Sequence, residues 1–238
     1  MKKYTQRQDS KITNKEYSKF LKNKKVILVG PAWHTKHTKQ VDLIESYDIV
    51  VRMNMGARVP NEKVILDIGS KINIWYCSLS GYFFKKQILT SQFLHELKKR
   101  GVQWICCPFT AKRGGGLLKL KQINQSLIPV HVVNHEYYKI LVDQSKNKIT
   151  TGLVTIYDLL QFDIKELYVM GMSFYRTDVI NKKRTYYSGY QDGVSYVNVK
   201  QGKHNLSNEL YLFSQLCEKY NKIYYDDVLT QILANIKK

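Results

Sequence analysis

Unbroken apolar runs alternate with amphipathic stretches along nearly the whole chain. "KKVILVG" (Lys24 to Gly30) is a short apolar run that ends in glycine, the pattern of a buried strand opening an α/β unit. "DIVVRMN" (Asp48 to Asn54), "INIWYCSL" (Ile72 to Leu79), "VQWICCPF" (Val102 to Phe109) and "IPVHVV" (Ile128 to Val133) repeat it, as do "KELYVMGMSFY" (Lys165 to Tyr175) and "KIYY" (Lys222 to Tyr225). Between them lie helical patterns. "TKQVDLIESY" predicts a short helix, and "TSQFLHELKKRG" one capped by Thr90 or Ser91 with Gly101 just past its end. "NHEYYKILVDQ" and "TTGLVTIYDLLQF" predict two more. "NLSNELYLFSQLCEKYN" carries Leu206, Leu210, Phe213, Leu216 and Tyr220 on one face, and "VLTQILANIKK" closes the chain as a helix.

This alternation predicts a doubly wound, mostly parallel α/β sheet, a single Rossmann-like unit covered on both faces. Residues 1–23 read as a basic, solvated arm or short helix, and residues 24–238 as one domain with a mobile loop near 175–203. "RGGG" (Arg113 to Gly116) reads as a mobile surface loop. Ligands of such sheets bind at the carboxyl ends of the strands. Here those ends carry "GPAWHTK", "RMN", "CSLSG" and "GMSFY". The helix start at "TTG" adds free N–H groups and a dipole that favour an anion, and Gly152 would let a phosphate approach the backbone.

Charge narrows the class of partner. Thirty-eight Lys and Arg against 19 Asp and Glu give +19, a field that attracts nucleic acid, anionic lipid or an acidic small substrate. The excess is lysine spread along the chain rather than clustered arginine with interleaved aromatics, so nucleic acid is not the expected partner. No run of about 18 apolar residues occurs, and "MKKYTQRQDSKITNKEYSKFLKNKK" has no apolar leader core. A cytoplasmic protein is expected, with room for peripheral attachment to an anionic inner-membrane surface. Cys77, Cys106, Cys107 and Cys217 form no C-x-x-C pair, so they read as free thiols rather than a zinc or redox site.

Several chemistries drop out by motif. Gly30 opens "GPAWHTK", not the dinucleotide or S-adenosylmethionine glycine pattern, and neither a phosphate-binding G-x-x-x-x-G-K-[ST] nor a G-x-S-x-G elbow occurs. No D-x-D follows a strand, and Asp226 and Asp227 are adjacent rather than spaced, so no metal is expected. Among the histidines, His95 and His131 read as structural, while His34 and His37 sit in the first strand–helix loop. His204 stands just ahead of a helix that Asn205 can cap, and alone it reads as a solvent-facing helix-start residue. Tyr175, Tyr186, Tyr187 and Tyr190 crowd the loop before it, and phenolic O–H groups donate to phosphate without adding charge.

"KITTGLVTIYDLLQFDIKELYVMGMSFY" (Lys148 to Tyr175) resembles the central motif of bacterial lipooligosaccharide sialyltransferases. "VILVG…DIVVRMN…DIGSK" is similar to the L motif of animal sialyltransferases, "TTG" with "YVMG" to their S motif, and "HNLSNE" to their H-x-x-x-x-E motif. The resemblance touches most of the chain after Lys24. It implies an inverting, metal-independent glycosyltransferase that moves sialic acid from a CMP donor to a hydroxyl of a lipooligosaccharide, glycolipid or glycoprotein. His204 stands at the family's general base, with Glu209 in support. Tyr175 stands at a phosphate-holding tyrosine, with Tyr186 or Tyr187 as a second and Lys148 as a cation. Gly30, Asn54, Thr150, Thr151, Gly152, Gly171 and Ser173 fall in the nucleotide-binding segments.

The chain departs from that pattern at Pro31, which replaces an asparagine, and near Cys77, where the bacterial family has another. Lys148 replaces an arginine and so lacks the bidentate fork. Val26 and the Phe162 region lack the cysteines of the animal disulfide. A CMP-Kdo-type donor therefore stays open, as does a non-catalytic module that binds nucleic acid or an anionic surface. An imidazole suits a general base near neutral pH, and a single departing phosphate can be stabilised by tyrosines, a helix N-terminus and a lysine.

Overall fold

Seven apolar segments pair into one all-parallel sheet in the computed structural model, which describes residues 14–58, 62–108, 114–176 and 204–235. The strands are β1 (Lys25–Val29), β2 (Ile49–Met53), β3 (Ile74–Tyr76), β4 (Trp104–Cys107), β5 (Val130–Val132), β6 (Glu166–Met170) and β7 (Ile223–Tyr225). Their order is β5-β4-β3-β2-β1-β6-β7. The chain winds outward from β1 to β5, then returns to lay β6 against the other side of β1. The topological switch thus lies between β1 and β6, where a doubly wound sheet opens a crevice at its carboxyl edge.

Strands buried on both faces lose the polar alternation of half-exposed ones. All five residues of β2 are buried, and in β1 only Lys25 is exposed. Alternate side chains serve opposite faces. Val26 and Leu28 join Val51, Ile74 and Leu153 in one core, while Ile27, Val29 and Val50 pack with Ile44 and Ile68 in another. Toward β4 and β5 the second face continues as a cluster around Trp75, Ile105 and Leu97. Full burial of each such aliphatic or aromatic side chain contributes about 1.5–3 kcal/mol.

The helices are α1 (residues 14–21), α2 (Val41–Glu45), α3 (Glu62–Ile68), α4 (Gly81–Lys85), α5 (Ser91–Lys99), α6 (Gly114–Asn124), α7 (His135–Ser145), α8 (Thr151–Leu159), α9 (Leu206–Lys219) and α10 (Asp227–Ala234). Three differ from expectation. Gly114–Gly116, read as a mobile loop with Arg113, begin α6; Arg113 itself lies outside the described residues. Packing overrides the poor helix propensity of these glycines: Leu120 is fully buried, and a Cβ on Gly116 would sit 2.7 Å from the Leu79 carbonyl oxygen. The short helices α3 and α4 fall where no element was expected. Residues 14–21, inside the segment read as a solvated arm or short helix, are helical, and Tyr17 and Leu21 are fully buried. Tyr17 stacks on the His131 ring with centroids 4.2 Å apart. The loop expected near 175–203 lies, beyond Arg176, outside the described residues. Among the described residues no helix is long and apolar enough to cross a membrane.

Candidate functional site

The switch point is set by two glycines. The Gly30 N–H donates to the Met170 carbonyl, and the Ala32 N–H to the Gly171 carbonyl, each at 2.8 Å. A Cβ on Gly30 would lie 2.3 Å from the Gly171 carbonyl oxygen, and one on Gly171 would lie 2.4 Å from that of Gly30. Backbone therefore touches backbone where β1 and β6 end. Gly171 also has φ +66°, a conformation in which side chains are strained. It opens a turn in which Phe174 (φ 46°) and Tyr175 (φ 60°) are left-handed too, at a cost of about 1–3 kcal/mol each. Phe174 offsets part of that by packing its ring 5.3 Å from Phe213. Ser173 is buried and Tyr175 half-buried.

The start of α8 lies across this crevice. Thr150 caps it, its hydroxyl accepting from the Leu153 N–H at 3.5 Å. Asn54, at the end of β2 with φ 46°, donates from Nδ2 to Thr151 Oγ1 at 3.3 Å and accepts the Ser78 N–H at Oδ1 (3.0 Å). Its carbonyl takes the Trp75 indole N–H at 2.9 Å. Asn54 thus ties the carboxyl ends of β2 and β3 to α8. Beside Gly152 a Cβ would meet Met172 Cε, the far end of a flexible side chain, at 2.5 Å, with Met53 Sδ at 3.8 Å. Gly152 serves the packing of the 171–175 turn against α8.

His204 is joined to the same helix start. Asn205 caps α9 by accepting from the Asn208 N–H, and Asn208 Nδ2 donates to the Ser145 carbonyl at 3.0 Å. His204 Nδ1 lies 2.8 Å from the Lys148 carbonyl oxygen, which can only accept. Nδ1 therefore carries the hydrogen, and Nε2 presents a lone pair that has no partner among the described residues. Glu209, fully buried in the first turn of α9, lies 3.6 Å from Nδ1. Its carboxylate accepts from the Thr150 N–H at 3.0 Å and from the Thr150 hydroxyl at 2.5 Å. His204, Glu209, Thr150 and the Lys148 backbone form one cluster, while the Lys148 residue is exposed. Tyr186, Tyr187 and Tyr190 lie outside the described residues.

Sequence reasoning missed one contact set here. Asp226, considered only for metal binding, caps α10 with Oδ1 and accepts at Oδ2 from the Gly171 N–H (2.8 Å) and from His34 Nε2 (3.0 Å). An aspartate between a strand and an apolar helical run is a cap signal; its link to His34 has no sequence signature. His131 is structural as expected: Nε2 lies 3.0 Å from Asp158, and Tyr76 donates to that carboxylate at 2.7 Å, all buried. Burial there pushes the Tyr76 and Tyr17 phenols and the Cys106 thiol well above their usual range. Cys77 is fully buried and its thiol raised by desolvation, so it offers no ligand contact. Among the described residues all four cysteines are free, and no group of three His, Cys, Asp or Glu side chains could hold a metal.

These residues sit on a seven-stranded, all-parallel sheet with its switch beside β1. Solved structures with a similar fold are found among sialyltransferases. The sialyltransferase CstII from Campylobacter jejuni, in complex with cytidine-5'-monophosphate, is similar with a TM-score of 0.55 and 17% identity over 86% of this chain and 80% of that one. In complex with CMP-3FNeuAc the corresponding values are 0.51 and 17%, over 89% and 83%. A mammalian sialyltransferase is similar with a TM-score of 0.54 and 16% identity, over 86% of this chain and 69% of that one. The chain has the sialyltransferase fold. No protein-family model and no curated protein sequence matches it.

Proposed function

We propose that this protein is a glycosyltransferase that moves sialic acid, or a related acid sugar, from a CMP donor to a glycan hydroxyl with inversion and without a metal. The observation that carries the reading is the His204 cluster at the carboxyl edge of a sialyltransferase fold. His204 Nδ1 is tied to a carbonyl that fixes the tautomer, which leaves Nε2 as the basic atom. Nε2 takes the proton of the acceptor hydroxyl as that oxygen attacks the anomeric carbon. The imidazolium so formed faces the buried Glu209 carboxylate, 3.6 Å from Nδ1. Glu209 orients and balances the base without touching substrate, the part the third group plays in other base-assisted sites.

The departing CMP carries one phosphate. Tyr175, the start of α8 at Thr150 and Thr151, Lys148, and Tyr186 or Tyr187 supply donors and positive potential for it, so no step calls for a cation. Asn54, Gly30, Gly171 and Ser173 border the crevice where the nucleotide would lie. Kdo shares with sialic acid a carboxylate and a CMP leaving group, so the same machinery suits a CMP-Kdo donor. The net charge of +19 favours an acidic donor and a cytoplasmic, anionic-membrane-facing workplace, with lipooligosaccharide, glycolipid or glycoprotein as acceptor. His204→Ala tests the reading. It lowers transfer by about 10²- to 10⁴-fold while CMP affinity, measured by calorimetry, stays near wild type. A folded variant that loses CMP binding instead overturns the base assignment.

A further inference from the structure

His34 and Asp226 meet behind the 171–175 turn and have no part in the reaction above. We propose that they are positioning residues that lock this turn in the conformation the donor site needs, an inference that rests on the CMP-donor reading. The Asp226 carboxylate takes three donors: Leu229 N–H at 2.9 Å, Gly171 N–H at 2.8 Å and His34 Nε2 at 3.0 Å. A serine or asparagine would cap α10 as well. Only a carboxylate caps the helix and also accepts from both the turn and the histidine.

His34 bears the mark of a residue kept for one contact. Its side chain is 10% exposed, and Asp226 fixes the hydrogen on Nε2. Nδ1 is then a buried acceptor, and it has no hydrogen-bond partner among the described residues. An unpaired buried polar atom is unfavourable and asks for an explanation; the bond to Asp226 supplies one. The turn itself needs holding. Gly171, Phe174 and Tyr175 all have positive φ, a state that persists only where surroundings over-determine it. Asp226 pins its first residue, and Met172 of the same turn fills the space beside Gly152 at the start of α8. Release of Gly171 would therefore move Met172, Ser173 and Tyr175 together.

Hydrogen exchange and CMP calorimetry on the full chain, well below each variant's unfolding midpoint, test this. Asp226→Ser keeps the helix cap but reaches neither Gly171 nor His34; His34→Leu removes the ring donor; His34→Gln keeps an N–H for Asp226. Loss of a charge-assisted bond raises Gly171 amide exchange about tenfold or more in the first two variants, with β2 unchanged. CMP affinity falls about tenfold in the same two and returns to within about threefold of wild type in His34→Gln. In a Tyr175→Phe background the His34→Leu loss shrinks, because both changes act through one turn. Unchanged Gly171 exchange overturns the proposal, as does raised exchange with undiminished CMP affinity, or an equal loss in both backgrounds. A wild-type chain that binds no CMP overturns the donor reading. The lock then stands if exchange rises only in residues 171–175, and falls if it does not.

Discussion

Glu209→Gln isolates the charge of the buried glutamate from its shape. The carboxylate accepts two hydrogen bonds from Thr150, at 3.0 and 2.5 Å, and is fully buried. Glutamine retains an oxygen for the Thr150 N–H but turns an NH₂ toward the hydroxyl. That hydroxyl must then accept from the new amide as well as from the Leu153 N–H, already long at 3.5 Å. A hydrogen bond to a charged group is worth about 1.5–3 kcal/mol and a neutral one about 1 kcal/mol, so the swap costs about 2 kcal/mol. For a chain of this size that lowers the unfolding midpoint by about 4–8 °C. Circular dichroism melts at pH 7 measure it, and the same preparation is assayed for transfer, which the proposed base role of His204 predicts to slow, since its imidazolium would lose its facing charge. A midpoint within about 1 °C of wild type, or unimpaired transfer in a destabilised variant, refutes the reasoning.

Adjacent glycines in α6 are expected to respond with opposite sign. A Cβ on Gly115 meets nothing within 4 Å, whereas one on Gly116 meets the Leu79 carbonyl at 2.7 Å. Gly115→Ala therefore stabilises by about 0.4–1 kcal/mol and Gly116→Ala destabilises by about 1–3 kcal/mol, both read from urea titrations. Alkaline stability follows from the sealed phenols. Burial raises Tyr17 and Tyr76 above their unfolded values, so above about pH 10 the unfolded state sheds protons the folded state keeps. Stability is fully present below that pH and falls with rising pH by about 1.4 kcal/mol per unit for each phenol. A flat midpoint between pH 9 and pH 11, or ultraviolet titration of these phenols in the folded protein, contradicts it.

The strands were legible because a parallel sheet buried on both faces writes itself as uninterrupted apolar runs, as in "VILV" and "IVV". Their order, and hence the switch between β1 and β6, was not, because alternation with helices predicts a parallel sheet but leaves open which strand β6 joins. What stayed hidden depends on contacts remote in sequence. The helix α6 begins with three glycines and exists because Leu120 has a core to enter. In α1, Tyr17 and Leu21 share a face but stand among lysines, so the charge masked the two buried positions. At the site, His204, Asn205 and Glu209 could be read from one short segment. The partnership of Glu209 with Thr150 spans 59 residues and that of His34 with Asp226 spans 192, distances over which no periodicity carries information. Gly152 marks a place where a Cβ would press on the end of the Met172 side chain, a neighbour that the sequence alone does not name.

The central claim is that the crevice between β1 and β6 receives a cytidine monophosphate leaving group. Isothermal titration of the full chain with CMP, in parallel with UMP, CDP and UDP and with a chelator present throughout, tests it most directly. The account predicts saturable one-to-one binding of CMP, undiminished by the chelator, weaker binding of the other three, and weakening of CMP by Tyr175→Phe. Absence of CMP binding, or tighter binding of UDP that disappears with the chelator, would contradict it.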